Sequence, residues 1–470
     1  MPSQLALILT LAFMAFLFVR EVRGHPEVSS AVWIPTIWLT IIGSRFVSQW
    51  LDIFGFQMGT VNLEDGSPVD AAFFGLLILS GLYILFQRRV RLAEILRNNR
   101  WMTFFLAYCF LAILWSDFPF VAFKRWLKVL GHPIMVLLLL TESDPEEAVI
   151  QLLKRCSYVW IPISILWIKY FPQLGRGFSL EDGSAENNGI GTNKNMLGLV
   201  VFISAAFFFW YFLRVWGKEK TRERRNELVL IGVFGCMIAW LFHMAHSATS
   251  MVSFLIATAL MLLLSFPRAN PRRIGTYLLT AVLIAIVAEG VFGIYSSVLH
   301  LLGKNPTLTD RTYLWHNVLQ MKINPILGAG YESFWLGDHI KPENWARVGF
   351  SFVPNEAHNC YLETYLNLGL AGLALLIGWF IETFQKARRD LVDGVYWGRF
   401  RLGYLIAVLF YNWTEAPFKA VDPVYFVYFL IAMDYPKAQL SPAIERASEP
   451  MAGLSFAAPK VWNSLANGKE

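Results

Sequence analysis

The sequence predicts an all-α polytopic membrane protein: a bundle of 12 or 13 transmembrane helices with one long, helical outer loop. Three observations predict it. Hydrophobic types make up 56% of the 470 residues and charged types only 16%, against about a quarter charged in soluble domains. Mean hydropathy is +0.47, and apolar stretches of the roughly 20 residues that a spanning helix needs recur along nearly the whole chain. The basic residues gather between those stretches, where topology-setting charges sit. The same figures exclude a soluble multidomain protein, a disordered chain, a collagen-like chain and a secreted disulfide framework.

In chain order, spans are expected near 3–19, 31–51, 70–86, 101–116, 119–141, 156–171, 196–213, 227–245, 249–266, 276–296, 361–383, 402–416 and 422–434. The first lacks a basic region before it and a small-residue cleavage site after it, so it reads as a retained span and not a signal peptide. Four short loops carry the basic residues: Arg88 to Arg100, Lys218 to Arg225, Arg268 to Arg273, and Lys386 to Arg389. Positive-inside places all four in the cytoplasm, and even numbers of expected spans separate them. The stretches 52–69, 172–195 and 297–360 then face outward. The expected organisation is a single integral membrane domain over 1–434, with 297–360 as a periplasmic catalytic loop within it and 435–470 as a loose cytoplasmic tail.

The formal charge of +6, from 40 Lys and Arg against 34 Asp and Glu, does not indicate nucleic acid, because the excess lies in the topology loops. Cys109, Cys156 and Cys236 fall inside apolar runs and Cys360 stands alone near a loop end. No Cys/His metal spacing occurs in the sequence.

Four constellations on the outer side can carry chemistry. Asp310-Arg311-Thr312-Tyr313-Leu314-Trp315 opens an amphipathic helix in the long loop. Arg311 there opposes the helix dipole unless an anion sits at the N-terminus; the bland reading is a surface Arg paired with Asp310 or Glu332. Glu356-Ala357-His358-Asn359 precedes Tyr361, Tyr365, Gly369 and Gly372. At helical spacing, His358 and these four share one face, close enough to pack on a neighbour. A His titrating near neutrality suits proton transfer from a hydroxyl; the bland reading is an interfacial His making one hydrogen bond. Gly175-Arg176-Gly177 through Asn193-Lys194-Asn195 is a Gly/Asn loop entering a span, either an anion cradle or an ordinary connector. Lys124, Arg125 and Lys128 form a stripe in the outer half of an apolar segment, suited to a lipid-linked diphosphate or to anionic headgroups.

These residues resemble the O-antigen ligase superfamily of bacterial envelope proteins, which includes exopolysaccharide polymerases. The likeness is carried by Asp310-Arg311 through Trp315, then Pro325-Ile326-Leu327-Gly328-Ala329-Gly330. It continues with His358-Asn359, nine residues, then Gly369-Leu370-Ala371-Gly372, and with Asn193 to Gly198 for the exopolysaccharide branch. One departure favours the polymerase branch: Ser247-Ala248-Thr249 stands where many ligases hold a basic residue between Ser and Thr. A second cation then falls to Arg176, Lys194 or Arg125.

The resemblance implies a membrane glycosyltransferase of GT-C-like type, placed in the bacterial inner (cytoplasmic) membrane with its active site facing the periplasm. It would transfer a glycan from an undecaprenyl-diphosphate donor to an acceptor hydroxyl on a glycan or lipid-linked acceptor. Arg311 would stabilise the departing diphosphate and His358 orient or deprotonate the acceptor. Arg176, Lys194, Asn195, Arg125, Lys128, Asn359, Tyr361 and Glu356 would bind substrate. Metal and cofactor are expected to be absent. Expected partners are the lipid-linked donor, the acceptor, membrane lipids and a chain-length regulator, with no nucleic acid. A flippase or transporter of lipid-linked oligosaccharide is the alternative. Transporters tend to show internal repeats and midplane sites, whereas this chain concentrates polar groups in an outer loop. A non-catalytic assembly scaffold is a third class.

Overall fold

A computed structural model describes residues 1–24, 28–56, 66–179, 183–266, 268–292, 311–348, 350 and 353–436. Asp310 and the tail beyond 436 lie outside the described residues, as does the stretch 293–310. A helix stands at each expected span. Among the described residues, six are long and apolar enough to cross a membrane: Ser3–Gly24, Pro68–Gln87, Pro145–Tyr170, Lys194–Trp216, Arg222–Ala245 and Cys360–Val392. A seventh is a broken pair, Ser30–Ile42 and Val47–Ile53, bent by 67°. At the remaining expected spans, Ile274–Phe292 is a 19-residue apolar helix and the others are shorter or more polar. Arg100–Leu111, Ala248–Leu263 and Pro423–Ala432 have 10–17 residues, and Pro119–Leu140 carries Lys124, Arg125 and Lys128. The all-α polytopic expectation therefore holds, and length alone identifies about half of the 12 or 13 expected spans.

Polar caps set several helix starts, each side-chain oxygen accepting an otherwise orphaned backbone N–H. Asn193 accepts from Met196 (2.8 Å), Thr221 from Arg224 (3.1 Å), and Asp422 from Val424 (2.7 Å). The only sheet among the described residues is a two-stranded antiparallel hairpin, Arg176–Phe178 with Ala185–Asn187, pairing Arg176 with Asn187.

Burial sorts the helices into an interior and a lipid-facing rim. Pro423–Ala432 is buried at every residue, and Pro145–Tyr170 and Lys194–Trp216 are largely buried. A helix apolar all round and buried all round belongs to the middle of a bundle. Ser3–Gly24, Pro68–Gln87 and Arg222–Ala245 stay mostly exposed although equally apolar, which is the signature of contact with hydrocarbon.

The antiparallel pair Cys360–Val392 and Trp397–Thr414 separates two polar regions. At one end Lys386 donates to Asn99 Oδ1 and to the Ala432 carbonyl, both at 2.9 Å. Arg401 bridges Asp390 (2.5 Å) and Asp434 (3.0 Å) beside it. Basic loops gather there. The Arg91 amide donates to Tyr435, Arg388 donates to the Arg272 carbonyl, and Trp210 near the end of its helix donates to the Tyr396 carbonyl. At the other end lie His358 and Glu415.

One expectation is corrected. His358, Tyr361, Tyr365, Gly369 and Gly372 do not form one continuous helical face. His358 precedes the helix in a left-handed conformation (φ 48°), and the helix is broken at Gly369 (φ 64°, ψ −166°). The break is filled by the segment 325–330. Ala329 and Gly330 donate to the Leu366 and Asn367 carbonyls (both 2.9 Å), while Leu370 and Ala371 donate to the Pro325 (2.9 Å) and Ile326 (3.2 Å) carbonyls. Orphaned backbone groups are costly in a membrane protein, and here the Pro-x-x-Gly-x-Gly segment supplies their partners. A Cβ at Gly369 would lie 2.2 Å from the Ile326 carbonyl carbon, so only glycine admits the strap.

Candidate functional site

Arg311 begins the helix Arg311–Leu319. One guanidinium nitrogen donates to the Thr414 carbonyl and the other to Glu415 Oε1 at 3.0 Å. Glu415 follows the Trp397–Thr414 helix and is fixed through its backbone: its amide donates to Tyr411 and its carbonyl accepts from Cys360. Its second oxygen, Oε2, lies 3.3 Å from His358 Nδ1, and Glu356 Oε1 lies 3.0 Å from the same nitrogen. Glu356 is also paired with Lys419. Arg311, Glu415, His358, Glu356 and Lys419 thus form one continuous chain of alternating charge. Its side chains are mostly shielded; only Lys419 exceeds a third exposure, at 39%.

The arrangement sets the protonation states. Burial alone would lower the His358 pKa, but Glu356 and Glu415 outweigh it and raise it from 6.5 to about 10. Burial alone would raise that of Glu356, yet Lys419 and His358 hold it well below the carboxylate range. Lys419, desolvated by burial, is nonetheless held above its ordinary value by Glu356 and Glu363. Opposite charges within a few ångströms favour the ionised forms in each case. At neutral pH His358 is therefore an imidazolium beside the Glu356 carboxylate and the Lys419 ammonium.

Glu356, His358 and Glu415 present one donor atom each within 4.8 Å of one another, a spacing that a divalent cation can use. Both carboxylates are already paired, with Lys419 and Arg311, and the array carries net positive charge. That balance suits an anion.

Neighbouring residues hold the segment carrying Glu356 and His358. The Ala357 amide donates to Glu363 Oε2 (2.9 Å), and the Ala357 carbonyl accepts from Trp315 Nε1 (2.8 Å). Trp315 lies one helical turn beyond Arg311, so one helix face carries both contacts. Left-handed backbone at a non-glycine residue is strained and persists only where neighbours over-determine it. His358 meets that condition.

The other expected residues divide. Arg125 donates to the Glu332 carbonyl and its Nε stands 3.9 Å from the Glu332 carboxylate. Burial raises the Glu332 pKa against the pull of Arg125 and Lys419. Lys128 lies on the same helix, three residues further along. Lys194 pairs with Glu186 (3.6 Å), with Asn195 next in its first turn, and Arg176 donates to the Ile168 carbonyl (3.0 Å). Their loop reaches the other flank indirectly. Gly198 packs on Ser247 and Ser250, and Thr249 accepts from Thr414 at 3.0 Å. Asn359 caps its helix, accepting from Leu362 and donating to the Trp413 carbonyl. Tyr361 donates to the Leu409 carbonyl on the neighbouring helix.

Sequence reasoning missed Glu415 and Lys419. Both lie in the short polar break Thr414-Glu415-Ala416-Pro417-Phe418-Lys419 between two apolar runs. A Glu and a Lys beside a Pro in so short a connector was the available signal. Of the cations offered for the second position, Arg125 pairs with Glu332, whereas Lys419, which was not among them, is linked to His358 through Glu356.

Residues 233–377 match the family described as O-Antigen ligase, and that match includes Arg311, Pro325 to Gly330, His358 and Gly369. The chain is also similar to the Exopolysaccharide production protein ExoQ of Rhizobium meliloti (strain 1021), 26% identical over 312 residues. That alignment covers 62% of this chain and 66% of the relative, just under two thirds of its length.

Proposed function

We propose that this chain, which is similar to the O-Antigen ligase family over residues 233–377, transfers polyprenyl-diphosphate-linked glycan repeat units to an acceptor sugar hydroxyl. The reaction takes place at the periplasmic face of the inner membrane and makes the protein an exopolysaccharide or O-antigen polymerase or ligase. The observation that carries this reading is the net-cationic chain Arg311–Glu415–His358–Glu356–Lys419 at the end of the bundle opposite the basic loops. A diphosphate leaving group develops negative charge as the glycosidic bond to it breaks, and fixed donors aimed there stabilise the transition state.

Arg311 offers the planar fork that matches a phosphate bidentately. His358, held as an imidazolium by two carboxylates, acts beside it as a second cation and orients the reacting groups. Lys419 extends the positive surface, and Arg125 and Lys128 guide the lipid-linked phosphate from the membrane side. The cations do the work that a metal performs elsewhere, so the transfer is metal-independent.

The test is an in vitro transfer assay with purified protein and lipid-linked repeat unit. Arg311→Lys keeps the charge and loses a charge-assisted hydrogen bond worth roughly 1.5–3 kcal/mol, so activity should fall about ten- to hundred-fold. Full activity of that variant would remove Arg311 from donor binding. Loss of wild-type activity in EDTA would overturn metal independence.

A further inference from the structure

We infer that Glu415 takes the proton from the acceptor hydroxyl, and that the donor's diphosphate, by engaging Arg311 and His358, converts Glu415 from a counter-ion into that base. The inference rests on the glycan-transfer reading above and assigns the one role which that reading leaves unfilled.

The geometry narrows the choice. His358 Nδ1 has two carboxylate oxygens beside it, at 3.0 and 3.3 Å, and these two carboxylates outweigh burial and hold the ring in its charged form. A charged ring cannot receive another proton. Glu356 is tied to Lys419 as well as to His358, and a diphosphate held at Arg311 would leave the Lys419 pair in place. Glu415 is different: both of its oxygens rest on the two cations proposed to receive the diphosphate. Whatever occupies those cations stands next to Glu415. The groups facing it are Arg311, His358 and Glu356, with Tyr411 on the preceding helix and Lys419 beyond Glu356.

The step balances. The acceptor O–H proton passes to the Glu415 carboxylate, and the acceptor oxygen forms the new bond to the anomeric carbon. The bond from that carbon to the diphosphate oxygen breaks, and its electron pair leaves with the diphosphate, beside Arg311 and His358. Once the diphosphate occupies Arg311 and His358, both Glu415 oxygens lose their cationic partners to it and become free to act as base. Donor binding then precedes acceptor activation.

Glu415→Gln separates the roles, because the amide keeps an oxygen for Arg311 but cannot accept the proton. In full-length protein in liposomes, with lipid-linked repeat unit as donor, kcat should fall about 10²–10⁴-fold. The donor KM should stay within about threefold of wild type, since uniform binding is retained. Glu415→Asp should recover at least about tenfold of the lost rate. A kcat within about threefold of wild type, or a loss carried wholly by donor KM, would overturn the inference and leave Glu415 as a positioning residue for Arg311. A folded wild-type protein that does not consume the lipid-linked donor at all would instead overturn the glycan-transfer reading, and this inference with it.

Discussion

The indole N–H of Trp315 donates to the carbonyl oxygen of Ala357 at 2.8 Å. This bond joins the Arg311 helix to the segment that presents Glu356 and His358, so the two halves of the site are set at a fixed distance. Trp315 also packs edge-on against Trp413 (6.1 Å between centroids), two residues before Glu415.

Trp315→Phe keeps most of that ring packing and removes the N–H. The buried Ala357 carbonyl then loses its indole donor, a change worth about 1–3 kcal/mol. We expect a lower melting temperature and a transfer rate reduced about tenfold through misplacement of His358. Unchanged turnover in the in vitro assay would show that the bond does not position the site.

His358 gives stability a definite pH dependence. Its folded value, about 10, lies above the ordinary 6.5, so its contribution is fully present below about pH 6.5 and is lost as pH rises through about 10. Glu356 is depressed below its ordinary 4.5; its contribution is present above that value and is lost as pH falls below it. The melting temperature of the purified protein should decline from pH 7 to 10, and His358→Gln should flatten that decline. Parallel curves for the two proteins would disprove the pairing.

Gly369→Ala should prevent accumulation of folded protein. Its Cβ would meet Ile326 at 2.2 Å, and its φ of 64° is already unfavourable for a side chain, a combined penalty above about 2 kcal/mol. Gly235, with nothing within 4 Å of an added Cβ, is the control: Gly235→Ala should give normal yield. Equal yields of the two variants would mean that the strap tolerates a side chain.

The orientation is open to direct labelling. Asp338, 86% exposed in the long loop, is expected on the periplasmic side, and exposed Lys220 on the cytoplasmic side. A membrane-impermeant thiol reagent added to intact spheroplasts should modify Asp338→Cys, but Lys220→Cys only after permeabilisation. The reverse pattern would place the site on the wrong leaflet for the proposed donor.

The helical character of the chain and the approximate positions of its apolar helices were legible because apolar runs are local features. Arg311 and His358 could be singled out as candidates from local pattern as well, Arg311 from the start of an amphipathic helix and His358 from the head of a span. The partners that govern them were not legible. Glu415 lies 104 positions from Arg311 and 57 from His358, and no local pattern reports so distant a pairing. Gly369 illustrates a different gap. Glycines three apart in an apolar run suggest close helix packing, and the break there becomes intelligible only once the segment 325–330 is seen lying in it.

That break bears on how the chain is made. The strap is synthesised before the helix whose gap it fills, so the plug already exists when residues 360–392 leave the ribosome. A helix arriving first would have to enter the membrane straight and fracture later, or expose open amides to lipid. Encoding the plug upstream removes both detours. The converse also follows: residues 360–392 expressed without the preceding loop, or supplied from a separate polypeptide, lack the partner that lets them bend, and should settle as an ordinary unbroken span.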